Sequence, residues 1–298
     1  MNWKDKKRII VLKTWLVILL LSVPVLLFSG EKRALIIGIG NYPEDSGWKK
    51  INGDKDIPLI EDMLLKNGFK SQNIVELKNE KATRDAIEQE FKNLIYKSKE
   101  GDLVYIHFSG HGQQITDLDG DEESGFDEAW IPYDAKMTYK KGEYEGGKHI
   151  VDDLLNLWLR GLRMKVGPKG KIIVVADACH SGGGSRDEDD EEIVVRGASD
   201  VFALEGKKAE YNPSRANKID WIFISACKGY QCNYEYNGYG SLSYTLSGLN
   251  KDLSALTCQQ LEMRLRENIK NIVKYTQTPS VESLDNTQTL FSGYEKGH

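Results

Sequence analysis

Two short polar motifs, each following an apolar run, contain the residue types used in cysteine-based catalysis. The first, Ser-Gly-His-Gly, contains His111 and follows a run that begins at Leu103; the second, Asp-Ala-Cys-His-Ser-Gly, contains Cys179 and follows a run that begins at Lys171. Continuous apolar runs of this length predict strands that are buried on both faces. Because ligands of open α/β sheets bind beyond the carboxyl ends of the strands, both side chains are expected where chemistry takes place.

If the two strands are neighbours, His111 can accept the thiol proton of Cys179 and later give it to a leaving amine. The competing interpretation is a buried cysteine and a satisfied core histidine, which is the usual fate of either residue alone. Two other histidines compete for the base role. His107 lies in mid-strand, which is typical of a core residue, and His180 is next to Cys179 in the chain and is expected to point elsewhere. We therefore predict a Cys179–His111 pair.

The motifs at 109–112 and 177–182 resemble the catalytic motifs of metacaspases of the bacterial type, which are caspase-like cysteine peptidases, and differ from the animal caspase signature. The likeness runs from about Arg33 to about Gly293. It implies a cysteine endopeptidase with a caspase-like three-layer α/β fold, in which helices flank both faces of a mostly parallel six-stranded sheet. It also implies an oxyanion hole formed by the backbone amides of Gly112 and Cys179.

Acidic residues near the nucleophile bear on specificity. Asp177 lies two residues before Cys179, on the same strand face if the chain is extended, and Asp56 precedes the first predicted helix. The resemblance implies a pocket for Arg or Lys formed by Asp56, Ser109 and Asp177, with Gln231, Tyr234 and Glu235 as further substrate contacts. A substrate guanidinium would offset the burial of the carboxylates through bidentate hydrogen bonds. The alternative is that Asp56 caps a helix and Asp177 bonds local backbone. The segment around Asp56 also lacks the cysteine that the family carries there.

An acidic insertion follows the histidine strand. Asp117, Asp119 and Asp121 have the spacing of an EF-hand loop, but the mid-loop glycine is two positions early and no helices are predicted to flank it, which excludes a true EF-hand. The resemblance implies an activating Ca²⁺ held by Asp127, Asp152 and Asp153, with an acidic residue of 187–190 completing the shell, and no organic cofactor. The alternative is a set of solvated acidic loops with Asp152 as a helix N-cap.

The stretch from Gly183 to about Lys218 lacks periodicity, which is typical of a functional or disordered loop. Two arginines, Arg186 and Arg196, lie in it. If the pocket prefers arginine, the enzyme could cut its own loop at either one.

Elsewhere strands and helices alternate, which predicts a largely parallel, covered sheet. Helices are predicted at 57–67, 83–96 with Thr83 as N-cap, 152–162, 240–249 and 257–273; strands are predicted at 33–41, 73–77, 103–108, 171–176 and 221–226, with an edge strand at 289–291. We predict one peptidase domain at 31–298, with a p20-like large part at about 31–185, a linker at about 186–217 and a p10-like small part at about 218–298.

The N-terminal 30 residues combine a basic start with a short apolar run, which predicts a signal peptide and export to the periplasm, cell surface or medium. The alternative is an uncleaved membrane anchor at 14–28. A net charge of −5 gives no reason to expect nucleic acid as a partner. We expect a monomer, and the resemblance implies that it acts on proteins or peptides with basic residues. The four cysteines do not form a disulfide framework, and those other than Cys179 are expected to be buried thiols.

Two rival classes stay open at this stage. One is a non-enzymatic, caspase-like calcium-binding or scaffold domain, since sequence does not show that Cys179 and His111 approach each other. The other is a hydrolase for an unrelated acyl substrate on the same fold, because fold does not fix function.

Overall fold

Both motif strands lie at the centre of one six-stranded sheet. The computed structural model describes residues 30–180, 194–198, 200–205, 209–212, 214 and 219–291. In chain order the strands are β1 (Lys32–Gly38), β2 (Ile74–Lys78), β3 (Leu103–Ser109), β4 (Gly112–Thr116), β5 (Phe126–Trp130), β6 (Ile150–Val151), β7 (Lys171–Asp177), β8 (Ile222–Ser225), β9 (Glu235–Tyr236), β10 (Tyr239–Gly240) and β11 (Ser280–Glu282). The main sheet has the order β11-β8-β7-β3-β1-β2, with only β11 antiparallel to its neighbour. Strands from the predicted large and small parts thus share one sheet.

Helices cover both faces of this sheet. They are α1 (Gly53–Lys66), α2 (Arg84–Lys97), α3 (Asp152–Val166), α4 (Ser241–Leu249) and α5 (Cys258–Ile272). The apolar stripes of α1, α4 and α5 pack in one core layer, and those of α2 and α3 pack in the other. Alternate residues of β3 point into each layer: Tyr105 belongs to the first, and Val104 and Ile106 belong to the second. This is why the motif strands are apolar throughout.

The predicted starts of α2 and α5 are confirmed, and a side chain caps each of these helices. Thr83 accepts a hydrogen bond from the Ala86 amide at the start of α2. Thr257 and Gln260 form a capping box at the start of α5. Helix α1 instead begins at Gly53 rather than at Ile57, because its first turn is polar and the apolar periodicity marks only its buried face.

Two further corrections concern strands. The edge strand predicted at 289–291 is wrong: Thr289 forms only an isolated bridge with Thr257, and the edge strand is β11, whose single buried residue, Val281, gives no sequence pattern. The acidic insertion is flanked by strands β4 and β5, which pair antiparallel and form a small sheet with β6. Its flanking elements are therefore not those of an EF-hand.

The four cysteines are buried, and none forms a disulfide. In the described part of the chain, no helix has the length and apolar character needed to cross a membrane. Residues 1–29 of the predicted signal segment lie outside the described residues.

Candidate active site

Cys179 and His111 lie at the same edge of the sheet. Strands β3 and β7 are parallel neighbours in which Ser109 pairs with Asp177, and each motif residue lies two positions beyond that pair. The backbones stay close past the strand ends: a Cβ placed on Gly112 would lie 2.6 Å from the carbonyl oxygen of Cys179. A glycine is required there, and it brings the two motif segments side by side.

The His111 ring has one nitrogen committed and one available. Nε2 lies 2.8 Å from the carbonyl oxygen of Lys49, which can only accept, so Nε2 carries the proton. Nδ1 is buried and has no hydrogen-bond partner, which leaves its lone pair available. Burial lowers the pKa of His111 to about 4, so the ring is neutral around pH 7. These are the properties of a general base.

Two aromatic residues fix the plane of this ring. The Trp48 ring stacks on His111 with centroids 4.9 Å apart, and the Tyr42 ring lies 5.1 Å away on a tilt. The Tyr42 hydroxyl accepts a hydrogen bond from the His111 amide at 3.0 Å and donates to the Ile131 carbonyl. Trp48 itself is anchored by its indole N–H, which donates to the Ala135 carbonyl. Neither residue was expected from the sequence, because both contacts come from the loop after β1.

Residues 194–198 lie across this site in the manner of a bound peptide. The Arg196 amide donates to the Asn233 carbonyl at 3.0 Å, and the Glu235 amide donates to the Val194 carbonyl at 3.0 Å. Between them Val195 forms an antiparallel bridge with Tyr234. The segment is therefore an added strand beside the start of β9.

The carbonyl of Arg196 lies at Cys179, the predicted nucleophile. Its oxygen accepts a hydrogen bond from the Cys179 amide at 2.7 Å. The Cys179 thiol donates to the Gln231 carbonyl, with Sγ and oxygen 2.7 Å apart. The next residue passes so close that a Cβ on Gly197 would lie 2.4 Å from the Cys179 carbonyl oxygen. The Ala198 amide then donates to the Gly112 carbonyl at 3.2 Å.

The Arg196 side chain fills a buried acidic pocket. Nη1 lies 2.7 Å from Asp56 Oδ2, 2.6 Å from Ser109 Oγ and 3.6 Å from Asp177 Oδ1. Nε donates to Glu235 Oε1 at 3.0 Å. Burial acts to lower the pKa of Arg196, but these carboxylates outweigh it and raise that pKa. Burial also raises the pKa of Asp56 to about 6, against the opposing effect of Arg196.

The pocket carboxylates are themselves held by other parts of the chain. Asp177 Oδ1 accepts from Asn233 Nδ2 at 2.7 Å, and its Oδ2 accepts from the Ser243 amide at 2.7 Å. The Gly240 amide donates to Asp56 Oδ1 at 3.0 Å. Gly240 also has to lack a side chain, because a Cβ there would lie 2.4 Å from Arg196 Nη1.

The structure brings most of the predicted substrate-binding residues together at Arg196. Asp56, Ser109, Asp177 and Glu235 meet around Arg196, although Asp56 lies in the first turn of α1 rather than before that helix. Gln231 presents its backbone carbonyl to the thiol, while its side chain bonds Thr278. Arg186, the other predicted self-cleavage site, lies outside the described residues.

The competing histidines have other partners. His107 is buried in β3 and bonds Tyr105 and Ser243. His180 Nδ1 lies 3.0 Å from Glu128 Oε2. Burial acts to lower the pKa of His180, but attraction to Glu128 outweighs burial and raises it.

A separate acidic cluster lies at the turn between β4 and β5. Carboxylate oxygens of Asp117, Asp121 and Asp127 lie within 4.8 Å of one another, and Asp121 also groups with Asp119 and Asp153. Asp127 is 4% exposed, and its Oδ1 is buried without a hydrogen-bond partner. Burial, with repulsion from Asp152 next, raises the pKa of Asp127 to about 8.

Two of the predicted calcium ligands lie on a helix: Asp153 belongs to the cluster, and the charge of Asp152 acts on Asp127. Asp152 and Asp153 occupy the first turn of α3, whose N-cap is Val151, so Asp152 is not the N-cap. Asp152 Oδ1 is also buried and unpartnered, and burial raises the pKa of Asp152 to about 7. The sequence analysis set Asp117, Asp119 and Asp121 aside together with the EF-hand, whereas the structure groups them with Asp127 and Asp153. The predicted ligand from 187–190 lies outside the described residues.

Comparison with known proteins places the chain in a class. The caspase domain family, peptidase family C14, matches residues 31–291, and this chain therefore belongs to that family. Within it the chain is metacaspase-like. It is 33% identical to Metacaspase-1 of Candida albicans over 167 residues, covering 52% of this chain and 34% of that protein. It is 30% identical to Metacaspase-1 of Pyricularia oryzae over 163 residues, covering 52% and 37%.

These relatives are longer than this chain, which spans about a third of the length of each. A solved structure of a Geobacter sulfurreducens protein aligns with a TM-score of 0.61 and 20% identity, covering 88% of this chain and 98% of that one. That likeness shows the fold alone. The predicted caspase-like fold and the predicted family are confirmed.

Trp48 should set the acid limit of activity, because its ring shields His111 from water. In Trp48→Ala the imidazolium becomes better solvated, so the pKa of His111 should rise toward its ordinary value. The acid limb of the kcat/KM profile should then move up by about one pH unit, measured with a peptide substrate. Trp158, equally buried but packed on Phe91, supplies the matched control. An unmoved acid limb in Trp48→Ala, or an equal move in Trp158→Ala, would contradict this role.

Proposed function

We propose that this chain is a cysteine endopeptidase that cleaves after basic residues, and that its own Arg196–Gly197 bond is its first substrate. One observation carries the proposal. Arg196 is fully buried among carboxylates while its carbonyl oxygen accepts from the amide of Cys179. A basic side chain and the peptide bond that follows it are thus held at the expected nucleophile.

The proposed reaction uses the groups already present. The Cys179 thiol gives its proton to Nδ1 of His111, and the sulfur bonds to the carbonyl carbon of Arg196. The oxygen that becomes negative accepts from the Cys179 amide, which lies 2.7 Å from it. The bond to Gly197 then breaks, and its nitrogen takes the proton from His111. Water hydrolyses the resulting thioester, which frees the enzyme.

In the structure the Cys179 thiol is not hydrogen-bonded to His111. The thiol points to the Gln231 carbonyl, while Nδ1 of His111 has no partner. Proton transfer requires the thiol to leave Gln231 and turn toward Nδ1. Until the segment is cut and leaves, residues 194–198 also occupy the cleft that another peptide would need. We therefore propose that the uncut chain is latent.

Peptide turnover tests the activity itself. The full chain should cleave fluorogenic peptides with Arg or Lys before the cut and leave the matching Asp peptide intact, because the pocket carboxylates require a cation. Cys179→Ala should abolish turnover. Cleavage after Asp would contradict the pocket assignment. The absence of turnover with every peptide, together with the absence of any cut at Arg196, would favour the scaffold interpretation.

Self-cleavage should leave a fragment that begins at Gly197. Intact mass and N-terminal sequencing of the incubated full chain should show it, and Cys179→Ala should not produce it. Arg196→Gln should stop this cut because the amide lacks the charge that the pocket binds. Gly197→Val should slow it strongly, because its Cβ would lie 2.4 Å from the Cys179 carbonyl oxygen. Arg186→Gln is the matched control and should leave the cut in place. Active enzyme without a fragment beginning at Gly197 would refute the proposal.

We further propose that Ca²⁺ promotes this self-cleavage. The acidic cluster fits a hard cation, since it combines several carboxylates with two buried, unpartnered oxygens on Asp127 and Asp152. Asp117, Asp121, Asp127, Asp152 and Asp153 are the residues that would hold the ion. When bound, the ion would supply the positive charge that offsets their mutual repulsion.

The cluster is connected to the segment that follows the cut. The Asp117 carbonyl accepts from the Ala209 amide at 3.3 Å, and the Gly120 carbonyl accepts from the Asn212 amide at 2.6 Å. Phe202 bridges Ile115 on β4 between the cluster and Gly197. A change in the order of the acidic loop would therefore reach the chain on the leaving side of the Arg196–Gly197 bond.

Calcium binding should be visible as stabilisation. In the Cys179→Ala chain, which cannot cut itself, Ca²⁺ should raise the Tm by about 5 °C over chelator at pH 7.5. Asp127→Asn should lose this rise without lowering the Tm in chelator. Because the folded pKa of Asp127, about 8, lies above its unfolded value, the chelated protein should lose stability as the pH rises toward 8.

The control for the calcium experiment is Asp62→Asn, an exposed carboxylate on α1 that pairs with Lys66. It should keep the full response to Ca²⁺. Equal responses of the parent and Asp127→Asn would show that this cluster is not the calcium site. Faster appearance of the Gly197 fragment in Ca²⁺ than in chelator, in the parent only, would support the proposed link to self-cleavage.

A further inference from the structure

The guanidinium of Arg196 is bound along two different edges. Its Nη1 end contacts Asp56 and Ser109. Its other edge, formed by Nε and Nη2, lies 3.0 and 2.9 Å from a single oxygen, Oε1 of Glu235. Asp56 and Ser109 therefore contact the tip of the side chain, and Glu235 contacts the Nε edge.

Glu235 is held in place by atoms outside the bound segment. Its Oε1 accepts from the Asn52 amide at 2.6 Å, and its Oε2 accepts a short hydrogen bond from Asn52 Nδ2. Asn52 is the N-cap residue of α1, so the start of that helix fixes the carboxylate. The Glu235 side chain is only 4% exposed. It faces the Nε edge as part of a formed pocket.

Lysine cannot use this arrangement. Its ammonium nitrogen lies where the central guanidinium carbon of arginine would be, and it has a methylene in place of Nε–H. An ammonium can approach Asp56 and Ser109, or it can withdraw toward Glu235, but a compact point charge does not span both. With lysine bound, the buried Glu235 carboxylate loses its charged donor, which costs binding energy that arginine does not lose.

We propose that Glu235 makes the pocket selective for arginine over lysine, with Asn52 as the positioning residue that aims its carboxylate. The inference rests on the proposed function, because it takes Arg196 to occupy the site of a substrate arginine. Asp56 and Asp177 attract either cation, and Glu235 distinguishes between them.

The test compares two fluorogenic peptides that are identical except for Arg or Lys before the cut. The parent full chain, after self-cleavage, should favour the Arg peptide in kcat/KM by on the order of 100-fold. Glu235→Gln should remove most of that preference by lowering kcat/KM for Arg, with the Lys value unchanged or raised. Glu235→Asp keeps the charge but withdraws it from Nε. Its preference for Arg over Lys should lie between the preferences of the parent and of Glu235→Gln. Asn52→Ala should reduce the ratio in the same direction.

Controls separate selectivity from folding. Asp56→Asn should lower both values, because it removes charge from the shared end of the pocket. Glu267→Gln, an exposed position on α5, should leave the ratio unchanged. Equal Arg and Lys turnover by the parent, or equal losses in folded Glu235→Gln, would overturn the inference alone. If thermal denaturation shows that Glu235→Gln is not folded, the Arg-to-Lys ratio of kcat/KM in Glu235→Asp decides instead. Absence of turnover with both peptides in the parent would instead remove the proposed function.

Discussion

The burial of Asp56, Asp177 and Glu235 in one pocket requires a positive charge, and Arg196 supplies it. Two of these carboxylates come from α1 and β7, and the third comes from β9 in the predicted small part. Carboxylates removed from water are costly unless they are paired, and removing one partner of a buried pair costs more than the pair contributes. Arg196 therefore contributes to folding, because it pairs with carboxylates from both the predicted large part and the predicted small part of the chain.

Under the proposed function, the uncut chain is an enzyme and its substrate joined in one molecule. A segment tethered to the same chain is present at a high effective concentration, so a free peptide competes with it poorly. Cutting the bond after Arg196 keeps the charge but releases the tether on the leaving side. The arginine can then dissociate and be replaced by another. In this proposal the contacts that stabilise the uncut chain also recognise substrates after the cut, and the two states differ by one covalent bond.

The sequence predicted the parts of the site that local patterns encode. The strands ending at Ser109 and Asp177, with glycine-rich turns after them, are continuous in the chain, so their placement follows from topology. Asn52 and Gly240 could not be predicted, because each matters only through an approach to a distant residue: Asn52 to Glu235, and Gly240 to the guanidinium. The early start of α1 was not predicted for a related reason: its polar first turn is ordered by tertiary contacts and not by an apolar stripe.

The two acidic sites differ in where their cation comes from. In the pocket the chain supplies its own cation, and the carboxylates around Arg196 are satisfied. In the cluster at the β4–β5 turn, Asp127 and Asp152 each keep a buried oxygen without a hydrogen-bond partner, and their raised pKa values reflect that. Described residues of the linker lie at both sites: Arg196 in the pocket, Phe202 beside β4, and Ala209 and Asn212 at the acidic turn. Under the proposed function, a cation from solution would offset the charge of the cluster, and the contacts of Phe202, Ala209 and Asn212 with this part of the chain would carry its effect toward the Arg196–Gly197 bond. The proposed control of self-cleavage by calcium rests on this difference in charge compensation between the two sites.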